Sequence, residues 1–273
     1  MFKGFKVLDV HTHVYPEKIA EKAVHNLGEF YNFTVHGNGT HSGLEKEAKA
    51  AGIDGFFLFC VATNARQVEH VNTSVAALCE SSKKNGFEAY GFAGMHQDFE
   101  NKEAELDRCI SLGLKGIKLH PDIQGANADC DSFMELYELM EKKNLKLYLH
   151  VGDDRPQYRF SDPERVANVA RTFPKLNIVA AHLGGYKAWD SAKEHLYGKF
   201  DNVYYDCSSS LWAMTPERAK ELISGCGYDR VMFGTDYPVC NLDEYLDMFM
   251  KLDLTDKQRE DIFYNNAKRF INL

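Results

Sequence analysis

The chain has 273 residues, 44% of them hydrophobic, with 32 Lys and Arg against 40 Asp and Glu and a formal net charge of −8. An acidic balance without a long basic run argues against nucleic-acid or anionic-membrane binding, and no apolar stretch reaches the ~20 residues of a membrane span. Seven cysteines (Cys60, Cys79, Cys109, Cys130, Cys207, Cys226 and Cys240), without a C-x-x-C pair, exclude a disulfide framework and a cysteine-rich zinc site and point to a reducing cytoplasm.

Met1 runs into a first strand over 6–10, so no signal peptide is expected. That strand ends in His11-Thr12-His13. Two histidines one residue apart on an extended backbone share a face and can aim at one metal ion. Asp9, two residues before His11, is expected to share that face and orient a ligand. The long connection 14–55 has apolar residues at helical spacing (Ile19, Ala23, Leu27, Tyr31), a Gly-containing run Thr34–Thr40 that suits a mobile loop over the mouth or equally a plain surface excursion, and a capping-box pattern Ser42-x-x-Glu45.

Further strands are expected over 56–61, 88–94, 116–119, 145–149, 178–181, 203–206 and 231–235. Helical periodicity fills the intervals, as in Val68, Val71, Val75 and Leu78, or Phe133, Leu136, Tyr137 and Met140. Pro163 and Pro216 sit where a first helical residue belongs, Gly52, Gly86 and Gly113 close helices, and Thr255-x-x-Gln258 opens another. On the fourth strand, Lys118 and His120 share a face.

Eight strands alternating with helices predict an α/β fold, a (β/α)8 TIM barrel built as one domain over 1–273. His11 and His13, His150, His182 and Asp236 follow the first, fifth, sixth and eighth strands. An open doubly wound sheet would gather ligands at one crevice; a barrel mouth explains their spread and suggests a metal site. His25, His36, His41, His70 and His195 lie on helices or loops without partners and are expected at the surface.

Asp9-Val10-His11-Thr12-His13, Gly116-Ile117-Lys118-Leu119-His120-Pro121, Leu149-His150, Ala181-His182-Leu183-Gly184-Gly185 and Phe233-Gly234-Thr235-Asp236-Tyr237-Pro238 together resemble the amidohydrolase superfamily. The likeness is to amidohydrolase family 2, the branch that includes aminocarboxymuconate-semialdehyde decarboxylase, and Asn265-Asn266-Ala267-Lys268-Arg269-Phe270 is similar to its C-terminal helix. The resemblance implies one divalent ion, expected as Zn²⁺, held by His11, His13, His150 and Asp236. It implies His182 as a catalytic group beside a metal-bound water, and Asp236 as both ligand and proton shuttle. A second ion is implied if Lys118 is carboxylated, as in the binuclear branches. Otherwise Lys118 is expected to bind a substrate carboxylate or a buried acid.

Arg155 and Arg159, in the stretch after the fifth strand, suit a substrate carboxylate or phosphate, with surface pairing to neighbouring aspartates as the alternative. Trp212 and Tyr237 suit an apolar wall, with plain packing as the alternative. The leading expectation is a metal-dependent hydrolase acting on an amide, ester or lactone of a small carboxylate-bearing molecule. A non-oxidative decarboxylase or hydratase with the same metal site is the alternative, and a silent metal-binding barrel the third reading. The resemblance also implies a homodimer.

Overall fold

The computed structural model describes residues 1–273. All eight expected strands are present: β1 (Leu8–His13), β2 (Gly55–Phe59), β3 (Glu88–Gly94), β4 (Gly116–Leu119), β5 (Lys146–Leu149), β6 (Ile178–Ala180), β7 (Val203–Asp206) and β8 (Val231–Met232). They pair in parallel in chain order. Backbone bonds join β8 and the residues after it to β1: Val10 N to Phe233 O at 2.9 Å, Asp236 N to His11 O at 2.9 Å and His13 N to Tyr237 O at 2.7 Å. The sheet thus closes on itself, and with the intervening helices it is a (β/α)8 TIM barrel. β8 is shorter than the expected 231–235 because Asp9 replaces ladder partners there. Its carboxylate accepts from Thr235 N at 3.0 Å and Thr235 Oγ1 at 2.6 Å.

Burial divides the apolar residues into two layers, as a barrel requires. Leu8, Val10, Phe57, Phe59, Phe92, Tyr148, Val179, Ala181 and Met232 fill the interior, joined by Ala267, Phe270 and Ile271 from the chain's end. The other face of the strands packs against the helices; Leu58, Ile117 and Leu147 meet Val75, Leu106, Leu136 and Val166 in that outer layer. Phe270, on the short helix Asn266–Phe270, stacks on Phe92 (6.4 Å between centroids, 10°) and packs against Tyr204 (5.2 Å), closing the floor of the barrel.

The connection 14–55 is mostly helical, as its periodicity implies: it holds helices Glu17–Tyr31 and His41–Ala51, with the run 34–40 between them. The expected Ser42–Glu45 box does not form. Thr40, in extended backbone, caps the second helix by accepting from Gly43 N at 2.9 Å, and Ser42 donates to Glu17 Oε1 at 2.9 Å, tying the two helices together. The Thr255–Gln258 box does form, and Pro163 and Pro216 occupy first helical positions.

At the floor, Glu88 accepts from Tyr264 (2.8 Å), Lys268 (3.1 Å) and Tyr90 (3.0 Å) and pairs with Lys6, linking β1, β3 and the C-terminal helix. Burial works against the charge of Glu88, but these donors outweigh it and hold the carboxyl down at about 2. A depressed carboxylate stabilises the fold above its unfolded pKa and loses that contribution as pH falls through its folded one. Glu88→Gln should therefore cost ~1–2 kcal/mol at pH 7, after discounting for solvent screening. The gap from wild type, read from denaturant melts, should shrink between about pH 5 and pH 2.

Candidate metal centre

The histidine pair is placed by an irregularity in β1. Against β2 the register slips by one residue between Asp9 and Thr12. An extra residue reverses the alternation of faces. Leu8 and Val10 point into the apolar interior, yet His11 and His13 bring their Nε2 atoms to 3.2 Å of each other at the mouth. Asp9 does not touch either imidazole, contrary to the sequence expectation. It accepts from the His11 backbone N at 3.1 Å and from Thr235, so it fixes the main chain on both sides of the β1–β8 seam. Burial, despite those donors, pushes its carboxyl up to about 7.

Left-handed backbone turns the other site residues inward. His182 (φ 59°), Leu183 (φ 53°), Ser209 (φ 47°) and Asp236 (φ 67°) all adopt it without being glycine. Such residues are uncommon, and a cluster of them marks a site whose geometry the surroundings over-determine. Gly234 serves the same end by close approach: a Cβ there would meet His11 Cβ at 2.9 Å. Asp236 Oδ1 consequently lies 3.3 Å from His11 Nε2 and 3.6 Å from His13 Nε2, while its Oδ2 accepts from Ser209 Oγ at 2.6 Å.

Asp206, at the end of β7, organises the ring of His11. Its fully buried carboxylate accepts from His11 Nδ1 (2.9 Å) and Tyr148 Oη (2.5 Å) on one oxygen. The other accepts from His182 N (3.1 Å), Ser208 N (2.9 Å) and Ser208 Oγ (2.5 Å). Burial alone would raise its pKa, but the adjacent His11 and these donors hold it well below the usual carboxylate range. With Nδ1–H committed to Asp206, His11 must turn its Nε2 lone pair to the mouth. The sequence reading missed Asp206, although β7 ends on a carboxylate just as other strands end on their site residues.

His182 donates from Nδ1 to the Ser208 carbonyl at 3.0 Å, because a carbonyl can only accept. Its Nε2 then accepts from His150 Nδ1 at 2.9 Å. Burial pushes His182 down to about 4 and His13, His120 and His150 well below the usual histidine range, so these rings are neutral at pH 7. His150 does not join His11, His13 and Asp236: its Nε2 faces Gly152 O (3.1 Å) and the Tyr31 hydroxyl (3.4 Å), and its ring stacks on His120 (3.8 Å, 10°). His120 and Tyr31 were not among the expected site residues. Lys118 is fully buried beneath the mouth, with Nζ 3.2 Å from His11 Nε2 and close to the rings of Phe59 and Tyr148. Burial, only partly offset by Asp206 and Asp236, lowers it to about 8.

The two arginines expected at the substrate are engaged elsewhere. Arg155 pairs with Asp153 (2.8 and 2.7 Å), bonds the Phe30 carbonyl and lies over the rings of Phe30, Tyr31 and Tyr158. Arg159 is exposed and pairs with Asp162 (2.6 Å). Trp212 is 39% exposed and lines a cavity of about 270 Å³ with Phe33 and Met248. Tyr237 is buried and bonds Asn38 at 3.0 Å, so it braces the connection after β1. His41, expected at the surface, is largely buried against Ser82 (2.6 Å) and Glu45 (3.2 Å).

The donor set suits a divalent cation. His11 Nε2, His13 Nε2 and Asp236 Oδ1 stand 3.2, 3.3 and 3.6 Å apart. Bonds of 2.0–2.2 Å to a tetrahedral ion space ligand atoms about 3.3–3.6 Å apart. The lone pair of His11 faces a carboxylate oxygen in a buried site, an arrangement of acceptors that a cation satisfies.

The family model for amidohydrolases, family 2, matches residues 8–273. The gamma-resorcylate decarboxylase of Polaromonas sp. (strain JS666) is 23% identical over 263 residues, covering 78% of this chain and 79% of that one. The 2-amino-3-carboxymuconate-6-semialdehyde decarboxylase of Dictyostelium discoideum is 28% identical over 213 residues, covering 62% and 56%. Among solved structures, the dihydroxybenzoic acid decarboxylase from Polaromonas sp. JS666, with bound manganese and the inhibitor 2-nitroresorcinol, superposes with a TM-score of 0.73 at 16% identity, covering 98% of this chain and 97% of that one. These relatives overturn the leading expectation of hydrolysis: they are decarboxylases, in line with the alternative. The cluster of His11, His13 and Asp236 supports a divalent metal without singling out zinc. The chain is an enzyme of amidohydrolase family 2.

Proposed function

We propose that the protein is a divalent-metal-dependent, non-oxidative decarboxylase of a small aromatic or unsaturated carboxylate. The observation that carries this reading is the convergence of His11, His13 and Asp236 at the mouth of a barrel whose similar relatives are decarboxylases. His11, His13 and Asp236 would hold the ion; His150, at the end of β5, faces Gly152 O and His182 instead. One ion is preferred to two, because Lys118 Nζ sits against His11 Nε2 at 3.2 Å and His150 is turned toward Gly152 O. When bound, the ion acts as a Lewis acid on substrate oxygens. The manganese of the solved neighbour makes manganese the first metal to compare with the zinc expected from sequence.

The chain's own groups divide the remaining work. Lys118 supplies positive charge beneath the mouth, favouring an anionic substrate. Asp236, whose Oδ2 accepts from Ser209 Oγ, would take a proton from solvent and deliver it to the carbon bearing the carboxylate. That carbon gains a C–H bond, the C–C bond to the carboxylate breaks, its electron pair returns to the substrate framework, and CO₂ leaves. His182, kept neutral by burial, accepts from His150 Nδ1 at its Nε2 and so orients the imidazole cluster beside the acid.

Four outcomes test this. Protein purified without chelator should hold one divalent ion per chain by elemental analysis, lost in His11→Ala. Asp206→Asn should weaken metal affinity ~10–100-fold in a titration, because it removes the acceptor that sets the His11 tautomer. In D₂O, a panel of hydroxybenzoates including 2,6-dihydroxybenzoate should yield CO₂ and a product with one deuterium at the vacated carbon. His182→Asn should retain its metal and lose ~10²–10⁴-fold in kcat. Turnover without deuterium at that carbon, or unchanged turnover in His182→Asn, would contradict the respective assignment.

A further inference from the structure

Helix Glu17–Tyr31 is attached unevenly. Of its fifteen residues only Ala20 is fully buried, and the helix ends at Asn32 in left-handed backbone. Its last turn carries most of the anchoring seen at the mouth. Arg155 bonds the Phe30 carbonyl and covers the Phe30 and Tyr31 rings at 4.6 and 5.1 Å, and Phe30 packs on Tyr158 at 4.8 Å. This clamp delivers the Tyr31 phenol to the imidazole cluster.

The hydrogen-bond directions there leave one donor loosely held. His120 caps the turn after β4 by accepting from Ile123 N at Nδ1, so its neutral ring carries the proton on Nε2. That Nε2–H donates to the Tyr31 oxygen at 2.8 Å. The Tyr31 O–H is then free to donate, and its only acceptor is His150 Nε2 at 3.4 Å, near the limit of a hydrogen bond. A second metal ion does not explain the cluster. The His120 and His150 rings are within 10° of parallel, so their in-plane lone pairs cannot converge on one ion, and Asp122 already accepts from Ser161 and Phe160. Around the phenol, Tyr31 stacks on Phe33 (5.3 Å), meets Tyr186 edge-on (5.9 Å), and Tyr186 meets Trp212 (6.3 Å), forming an aromatic wall that leads outward.

We propose that Tyr31 is a specificity-determining residue whose hydroxyl donates a hydrogen bond to an anionic oxygen of the substrate, and that Arg155 is the positioning residue that holds it there. The proposal rests on the decarboxylase reading for the identity of the anion, but not for its own test. A hydrogen bond to a charged group is worth about 1.5–3 kcal/mol, or roughly 10–150-fold in affinity. The aromatic wall matches a planar ring, and the donor matches a carboxylate or phenolate oxygen at its edge.

The experiment uses manganese-loaded wild type, Tyr31→Phe, Arg155→Ala and the double variant, with 2,6-dihydroxybenzoate as probe, read by calorimetric binding and by steady-state kinetics. Tyr31→Phe should weaken binding and raise KM at least about tenfold, with kcat within about threefold and the melting temperature within about 2 °C of wild type. Arg155→Ala should have a similar effect on binding and also speed backbone hydrogen exchange across 17–31. Adding Tyr31→Phe to Arg155→Ala should change little, since both remove the same contact. Equal affinity of Tyr31→Phe and wild type overturns the proposal, as does strict additivity of the two substitutions. Wild type that binds the probe without releasing CO₂ overturns the decarboxylase reading, while a loss of binding in Tyr31→Phe would still support the role of Tyr31. Wild type that does not bind the probe overturns the match of this wall to a planar carboxylate.

Discussion

A buried carboxylate with five donors, Asp206, is the constraint on which the mouth of this barrel depends. An ionised carboxylate in the interior is tolerable only when its lone pairs are satisfied. Asp206 meets that condition by drawing together three strands: the His11 ring from β1, the Tyr148 hydroxyl from β5, the His182 amide after β6, and Ser208 after its own strand. Each bond also places a functional group. The bond to His11 Nδ1 chooses the tautomer that turns Nε2 outward, and the bond to the His182 amide holds a left-handed turn that would otherwise open. The stabilisation of one charge and the shape of the site are thus a single problem with one solution.

The seam between β1 and β8 shows the same economy. A bulge in β1 lets apolar Leu8 and Val10 fill the barrel while His11 and His13 reach the mouth from the same strand. The slip leaves β8 with too few ladder partners, and Asp9 supplies them from its side chain at Thr235. Asp236 then follows in left-handed backbone, with its amide bonded to His11 O, so the acid and the histidines it faces are joined through one short stretch of main chain. A site assembled across the closure point of the barrel is held by the closure itself.

Much of this was legible in the sequence, for physical reasons that differ between residues. The eight strands were readable because parallel strands buried on both faces form continuous apolar runs, and the site positions because each such run ended on an imidazole or carboxylate. Asp9 was misplaced because period-2 reasoning has no means of seeing an inserted residue. Thr40 was passed over as a cap in favour of Ser42, since the choice depends on where the preceding glycine lets the chain turn. Arg155 was readable either as a substrate group or as a partner of the neighbouring aspartates, and it takes the second, with Asp153; its further bond to the Phe30 carbonyl, some 125 residues earlier, was not visible. Asp206 was missed because its role lies in contacts to three other strands. Reaction class was beyond the residues altogether: the same ligands serve hydrolysis and decarboxylation, and only the similarity to decarboxylases favours the second.

The electrostatics of the mouth follow from these contacts. With His11 Nδ1 committed to Asp206, the Nε2 lone pair faces the Asp236 carboxylate at 3.3 Å, and the same argument applied to His182 and His150 leaves His150 Nε2 facing the Gly152 carbonyl at 3.1 Å. Two acceptor pairs therefore confront each other at the mouth. Lys118 is the group that answers this need in the chain itself, donating to His11 Nε2, and burial has brought its pKa within reach of neutrality. A divalent ion answers it more completely, satisfying His11, His13 and Asp236 together and making the mouth attractive to an anion. The bonds that set these lone pairs against one another are those that shape the mouth for a divalent cation.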